Sequence, residues 1–255
     1  LGHAFAALTA AAAGRHFLLR IEDLDQDRTR EEFVTAIIED LAWLGLRWEQ
    51  PVLRQSQRFD AYRQALATLK GKGLLYPCFC TRKEIAEEAA HMLEAPHGPD
   101  GPLYPGTCRD LGVAERDARL EAGDAYALRL DAAKAAARAG PLSFHEHGQA
   151  VTVDPLLFGD LVLARKDMPA SYHLAVVVDD AFQGVTLVTR GEDLLPAAHV
   201  QRLLQALLSL PAPSYAHHRL ILDSDGRKFS KRDRAVTLRA LRHAGATPES
   251  IRARV

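Results

Sequence analysis

Four clusters of chemically capable side chains stand out along this chain. The most concentrated is DGRKFSKRDR, residues 225–234, where five cations surround Phe229 and Ser230. Lys228 and Lys231 stand three residues apart on a stretch that Gly226 lets turn, so two ammonium groups and the Ser230 hydroxyl can fold over a triphosphate. Gly2 and His3 open an Ala-rich segment. A helix starting there offers unpaired backbone N–H groups and a positive dipole end to an anion. RIEDLDQDR, residues 20–28, sets several carboxylates after an apolar run. In an open α/β sheet, the carboxyl end of a strand is where ligands bind. Tyr172 and Arg190 adjoin the apolar runs AVVVDD and LVTRGEDLL. An arginine that leaves a strand is well placed for bidentate recognition of a carboxylate or phosphate. Taken singly, each cluster has a plain alternative as a solvated charge run, an acidic turn or a surface arginine.

The three cysteines form a further group. Cys78 and Cys80, at i and i+2, would share one side of an extended segment, and Cys108 returns after the Pro/Gly-rich loop APHGPDGPLYPGTC. Thiolates so placed suit zinc, and buried apolar cysteines are the alternative. For a fourth donor, ligand chemistry alone points to His97 or His91, because imidazole binds zinc more commonly than phenolate.

The elements that must position these groups follow from periodicity. AFAALTAAAA predicts a helix closed at Gly14, and HFLLRIED a buried strand. TREEFVTAIIEDLAWLG predicts a helix with a Thr29–Glu32 capping box and an apolar face of Phe33, Ile37, Ile38, Leu41 and Leu44. RFDAYRQALATLKGKG predicts another helix, and a Thr81–Glu84 capping box opens one after the CFC motif. YALRLD, LVLAR, SYHLAVVVDD and GVTLVTRGED predict strands, and LLPAAHVQRLLQALLSL an amphipathic helix. Strand and helix alternate at both ends around a module with its own cysteines, so the expected class is α/β, a parallel sheet split by an insertion.

Composition bounds the function. The 255 residues carry a net charge of −1, with 47% hydrophobic and 25% charged residues, as in a soluble globular protein. From Arg219 to Arg254, ten Lys/Arg face four acidic residues, a basic end suited to a polyanionic partner. There is no apolar run long enough to span a membrane. The opening segment lacks the basic region of a signal peptide, and because the first residue is Leu1 the natural chain is expected to begin earlier. An odd number of cysteines fits a reducing cytoplasm better than a disulfide framework. Nothing in the sequence calls for an obligate oligomer, and a monomer is expected.

Together, these motifs resemble the class I aminoacyl-tRNA synthetases. LGH is similar to the end of their His-x-Gly-His signature, and Lys228-Phe229-Ser230-Lys231-Arg232 to their Lys-Met-Ser-Lys-Ser signature, with Phe229 for Met and Arg232 for the final Ser. RIEDLDQDR, SYHLAVVVDD and VTRGEDLL resemble the glutamate-specific branch. Only a short segment follows Lys231, so the chain is similar to the short glutamyl-Q tRNA(Asp) synthetase family, which lacks an anticodon-binding domain. The resemblance implies a Rossmann-like core in residues 1–76 and 172–212, an inserted zinc-bearing α/β module in 77–171, and a phosphate-clamp loop with a short helical segment in 213–255. It implies ATP-dependent activation of glutamate without tRNA, then transfer to the queuosine base in the anticodon of tRNA(Asp). By the same resemblance His3 and Lys231 contact ATP phosphates, with Gly2, Lys228 and Ser230 beside them and magnesium accompanying ATP. Glu22 would meet the ammonium of glutamate, Arg190 a carboxylate and Tyr172 either through its hydroxyl. Cys78, Cys80, Tyr104 and Cys108 would hold a structural zinc. The alternatives are a truncated synthetase that charges tRNA(Glu) and a catalytically silent paralogue that only binds tRNA.

Overall fold

The structure, a computed structural model, describes residues 2–14, 16–27, 29–91, 97–220 and 237–253, with the backbone alone at 2, 3 and 89–91. The chain opens with α1 (Gly2–Ala13), β1 (Arg20–Ile21), α2 (Glu31–Trp43), β2 (Leu53–Arg54) and α3 (Phe59–Gly71). β1 and β2 pair in parallel, as strands joined through a helix do. HFLLRIED thus contributes two residues of ladder rather than a full strand. Its partner β2 is equally short and runs directly into a 3-10 turn at Gln55–Gln57.

Next come β3 (Leu75–Cys78), α4 (Arg82–His91), β4 (His97–Gly98), β5 (Gly101–Pro102), α5 (Val113–Glu121), β6 (Ala127–Leu130), α6 (Ala132–Ala139), β7 (Ser143–Glu146), β8 (Gln149–Thr152) and β9 (Val162–Arg165). The chain continues through α7 (Tyr172–Gln183), β10 (Leu187–Gly191), α8 (Leu195–Leu208), β11 (Ser214–His218), α9 (Leu238–His243) and α10 (Pro248–Arg252). β3, β6 and β9 form an antiparallel sheet. β10 and β11 pair in parallel, and β7 joins them in parallel at Tyr215 and Glu146, bringing β8 to the edge. Residues 77–171 therefore serve two sheets, since the β7–β8 hairpin extends the β10–β11 sheet.

SYHLAVVVDD is a helix, not the strand its β-branched run predicts. Ser171 caps it, accepting the Leu174 N–H, and Gly184 closes it in the left-handed region at φ 65°. Leu174, Ala175, Val176 and Val177 are all buried, so α7 is enclosed on most sides. A fully buried helix shows the same apolar run as a buried strand, and the caps decide between them. Asp179 on α7 is also buried, and it accepts from Gln55 Nε2 (3.1 Å), Arg58 Nε (2.6 Å) and Tyr62 Oη (2.7 Å). A carboxylate taken out of water persists only when paired in this way, and the pairing locks α3 to α7.

The Thr29–Glu32 box does not form. Arg30 is the N-cap of α2 without a side-chain bond, and the Thr29 hydroxyl donates back to the Asp25 carbonyl at 2.8 Å. The Thr81–Glu84 box does form, with Thr81 N donating to Glu84 at 2.7 Å and Glu84 N to Thr81 Oγ1 at 3.2 Å. Phe33 and Ile37 face outward, whereas Val34 is buried and Leu41 and Leu44 are buried against Ala4, Ala7 and Ile251. The C-terminal cations are partly consumed by this packing: Arg239 and Arg242 pair with Glu39, and Arg252 donates to the Leu44 carbonyl at the end of α2.

The principal core joins α3, α7 and α8 to β6 and β9 through Tyr62, Leu69, Leu130, Leu163, Leu174 and Leu203. The module is thereby fused to the core by shared apolar side chains. Among the described residues, no helix is long and apolar enough to cross a membrane.

Candidate active site

Arg190 is the penultimate residue of β10, and its side chain is buried. Its Nε lies 3.0 Å from His217 Nε2, and its Nη1 donates to Gln201 Oε1 at 2.9 Å and to Tyr172 Oη at 3.3 Å. Nη2 is buried without a partner, as is Gln201 Nε2. A buried donor left unpaired costs about 1–3 kcal/mol, which a ligand carboxylate would recover. Tyr172 opens α7 and accepts from Arg190, so its own proton stays free to donate. Burial raises the Tyr172 phenol, with Arg190 opposing, and it remains a neutral donor.

Glu22 follows β1 with its side chain 44% exposed, and Arg20 Nη2 stands 3.4 Å away. Surrounding protein pushes the Glu22 carboxyl above the ordinary range, while Arg20 pulls it down. Arg20 is held by Asp180 (2.7 Å) and Gln183 (3.2 Å) on α7. Asp23, by contrast, is a structural carboxylate that accepts both the backbone N–H and the hydroxyl of Ser56. The chain thus brings Tyr172 into contact with Arg190, and the Arg190 charge acts on Glu22. Cations and carboxylates on one open edge suit an amphoteric ligand such as an amino acid.

At the same carboxyl end of these strands, α1 lies along β10, and Thr189 Oγ1 donates to the Ala6 carbonyl at 2.9 Å. The Phe5 ring packs on His218 at 4.2 Å, with Arg219 over it at 5.6 Å. The backbone of Gly2 and His3 forms the first turn of α1. The end of β11 and Arg219 thus stand beside Phe5 of α1. Lys228, Ser230 and Lys231 lie outside the described residues.

The cysteines converge in the module. Cys78, Cys80 and Cys108 place their sulfurs within 4.8 Å of one another, with Cys80 and Cys108 3.4 Å apart. Tyr104 Oη lies 3.4 Å from Cys78 Sγ and 3.5 Å from Cys80 Sγ, and accepts the Cys108 N–H at 2.8 Å. Tetrahedral zinc with Zn–S of ~2.3 Å sets its sulfurs about 3.8 Å apart, so three thiols and a phenol at these separations fit the ion. Burial pushes the Cys80 thiol up to about 12 and raises Tyr104 as well. Burial acts the same way on Cys108, but hydrogen bonds from Tyr104 and the Phe79 N–H outweigh it and leave that thiol below its ordinary value. Four protein donors leave no open position for water. His97 belongs to the β4–β5 hairpin and is not in the cluster, and the His91 side chain lies outside the description.

A cavity of about 280 Å³ separates the two sites, lined by Leu103, Tyr104, Arg129, Phe158, Asp160 and His173 among others. Neither Glu22, Tyr172 nor Arg190 lines it.

The catalytic-domain family described as tRNA synthetases class I (E and Q) matches residues 1–255. The chain belongs to that class I synthetase family. It is 48% identical to a glutamyl-Q tRNA(Asp) synthetase of Rhodobacter capsulatus, over 99% of this chain and 93% of the relative. It is 38% identical to a glutamate–tRNA ligase of Aquifex aeolicus, over 98% of this chain but 52% of that one. The solved glutamate–tRNA synthetase of Elizabethkingia anophelis superposes with a TM-score of 0.72 at 27% identity, covering 90% of this chain and 48% of that chain. The chain thus spans about half the length of that solved synthetase. The class I Rossmann-like fold of this synthetase chain is assembled from the parallel pairs β1–β2 and β10–β11.

Sequence reasoning missed the groups that hold Glu22 and Arg190 in place: Arg20, Asp180, Gln201, His217 and Glu146. AVVVDD displays the aspartates openly, but only a helix shows that Asp179 turns to the core and Asp180 to Arg20. Reading that stretch as a strand hid the distinction.

Proposed function

We propose that this chain activates glutamate with ATP without requiring tRNA, and then transfers the glutamyl group to the queuosine base in the anticodon of tRNA(Asp). The carrying observation is the buried Arg190 guanidinium with Nη2 unpaired beside Tyr172, in a chain so similar over its length to a glutamyl-Q tRNA(Asp) synthetase. In this reading Arg190 and Tyr172 take a carboxylate of glutamate, and Glu22 takes its ammonium. A glutamate carboxylate oxygen attacks the α-phosphorus of ATP, and pyrophosphate leaves. That carboxylate is already ionised at neutral pH, so no general base is needed. The remaining task is to hold two anions together and stabilise the phosphate charge. We assign it to Gly2 and His3 at the start of α1 and to Lys228, Ser230 and Lys231, with magnesium brought by ATP.

Cys78, Cys80, Tyr104 and Cys108 would hold zinc, whose contribution is to fix the module's fold. Free thiols support a reducing, cytoplasmic setting, and the chain is proposed to act as a monomer.

The test is ATP–pyrophosphate exchange on the full-length protein with glutamate, with and without tRNA, followed by glutamyl transfer to queuosine-containing tRNA(Asp). Glutamate-dependent exchange without tRNA, and transfer to that tRNA, are expected. Exchange only with tRNA(Glu) would make the chain part of a glutamate–tRNA ligase. No exchange under either condition would indicate a silent tRNA-binding paralogue.

A further inference from the structure

Behind Arg190 stands a second pair of side chains. Glu146, at the end of β7, accepts the His217 backbone N–H at 2.8 Å and faces His217 Nδ1 at 2.7 Å. His217 Nε2 lies 3.0 Å from Arg190 Nε. A guanidinium Nε always carries hydrogen, so Nε2 must be the acceptor. The imidazole proton then sits on Nδ1, donated to the Glu146 carboxylate. The ring is held in place: it stacks on Tyr215 at 5.9 Å and 9°, and its side chain is 2% exposed.

We infer that Glu146 and His217 are a positioning pair that aims the Arg190 guanidinium at the substrate, Glu146 by holding His217 in the Nδ1–H tautomer and His217 by accepting from Nε. The inference rests on the proposed role of Arg190 in binding a glutamate carboxylate. With Nε fixed by His217 and Nη1 by Gln201 and Tyr172, the plane of the guanidinium is set from two edges, and Nη2 is the nitrogen left for the ligand. A fixed plane matters because bidentate carboxylate recognition is directional.

The groups facing His217 are Glu146 and His147 from the β7 turn, Arg190 from β10 and Tyr215 from its own strand. Burial favours the neutral ring most strongly, Glu146 favours the protonated one, and Arg190 sides with burial, so the ring titrates below its ordinary value. Protonation would turn Nε2 into a donor facing a donor and release Arg190. Glutamate binding therefore holds at neutral pH and weakens as pH falls below the ordinary histidine range.

The experiment measures KM for glutamate and for ATP in pyrophosphate exchange by the full-length protein, its Arg190→Ala variant, and three variants of the pair. His217→Phe keeps a ring but removes the acceptor. Glu146→Gln can donate to Nδ1 and so favours the opposite tautomer. His217→Gln places a carbonyl oxygen near the Nε2 position. The first two are expected to raise KM for glutamate about 10- to 100-fold, the value of a hydrogen bond to a charged group, with KM for ATP little changed, and His217→Gln to recover most of the loss. If Arg190→Ala leaves KM for glutamate unchanged, the carboxylate role of Arg190 falls and the pair's role with it. If Arg190→Ala raises it while His217→Phe and Glu146→Gln do not, or if they raise both KM values equally, the positioning pair alone is overturned. Should the variants fail to fold, nitrogen NMR of the wild-type imidazoles decides: Nδ1–H on His217 upholds the pair, and Nε2–H overturns it.

Discussion

The two polar centres of this molecule handle their donors in opposite ways. Around Cys78, Cys80, Cys108 and Tyr104, each group faces another of the set, and the cluster is closed. Around Arg190, three neighbours fix the side chain yet leave Nη2, and beside it Gln201 Nε2, without partners. A closed set of four suits a resident ion that organises the fold, because nothing is left over for a substrate. An open, oriented donor suits a ligand that comes and goes, because its unmet bond is satisfied only on binding. The same chain thus keeps structural and exchanged chemistry apart by how completely each polar group is satisfied.

The sharpest way to break this contrast is to damage one centre and read both. Cys108→Ser should abolish stoichiometric zinc and lower the melting temperature by about 10 °C or more, since each kcal/mol shifts a domain of this size by about 2–4 °C. Metal analysis and thermal unfolding check it. A variant that keeps both its zinc and its melting temperature would end the closed-site reading. Arg190→Ala should raise KM for glutamate about 100-fold or more, as expected when a charged hydrogen-bond partner is lost, and leave the zinc content intact. If instead it lowers stability as much as Cys108→Ser does, the site is not held open for a ligand.

His173 lies between the centres, its ring against Phe158 and Tyr172, and burial depresses its pKa to about 4. The unfolded chain takes up that proton near the ordinary value of ~6.5. Stability contributed by the neutral ring is therefore full above about pH 6.5 and is lost as pH falls towards 4, by up to about 2–3 kcal/mol. Urea unfolding at pH 7 and pH 4.5 should show a shallower decline in His173→Phe than in wild type. Parallel declines would show that the ring does not couple the two regions to pH.

The smallest contrast is between two capping sequences, one formed and one not. Thr81→Ala should cost about 2–4 °C in melting temperature, because its box with Glu84 is made. Thr29→Ala should cost less, because that hydroxyl does not cap α2. Equal shifts would remove the distinction.

Local chemistry made much of this molecule legible. The glycine-closed helices α2 and α3, the formed box at Thr81 and the strand β10 follow from short-range pattern. Arg190 and the three cysteines drew attention by residue type and spacing alone. The Thr29 box failed because its sequence pattern is necessary but not sufficient: the hydroxyl found a nearer carbonyl at Asp25. Phe33 and Ile37 fit a helical period yet face outward, since periodicity says which residues share a face and not how much of it another element covers.

What the sequence determined by itself was the presence of a class I synthetase signature at each end, the donor types of the thiol cluster, and a guanidinium at the end of a strand. Those rest on residue identity and local spacing, which need no partner. Tertiary structure alone decided that AVVVDD is helical, that its two aspartates have different tasks, and that Glu146 reaches His217 across 71 residues of chain. The physical reason is burial. Whether a polar group becomes a staple, a positioning partner or a waiting donor depends on which other groups share its enclosure, and long-range packing sets that enclosure.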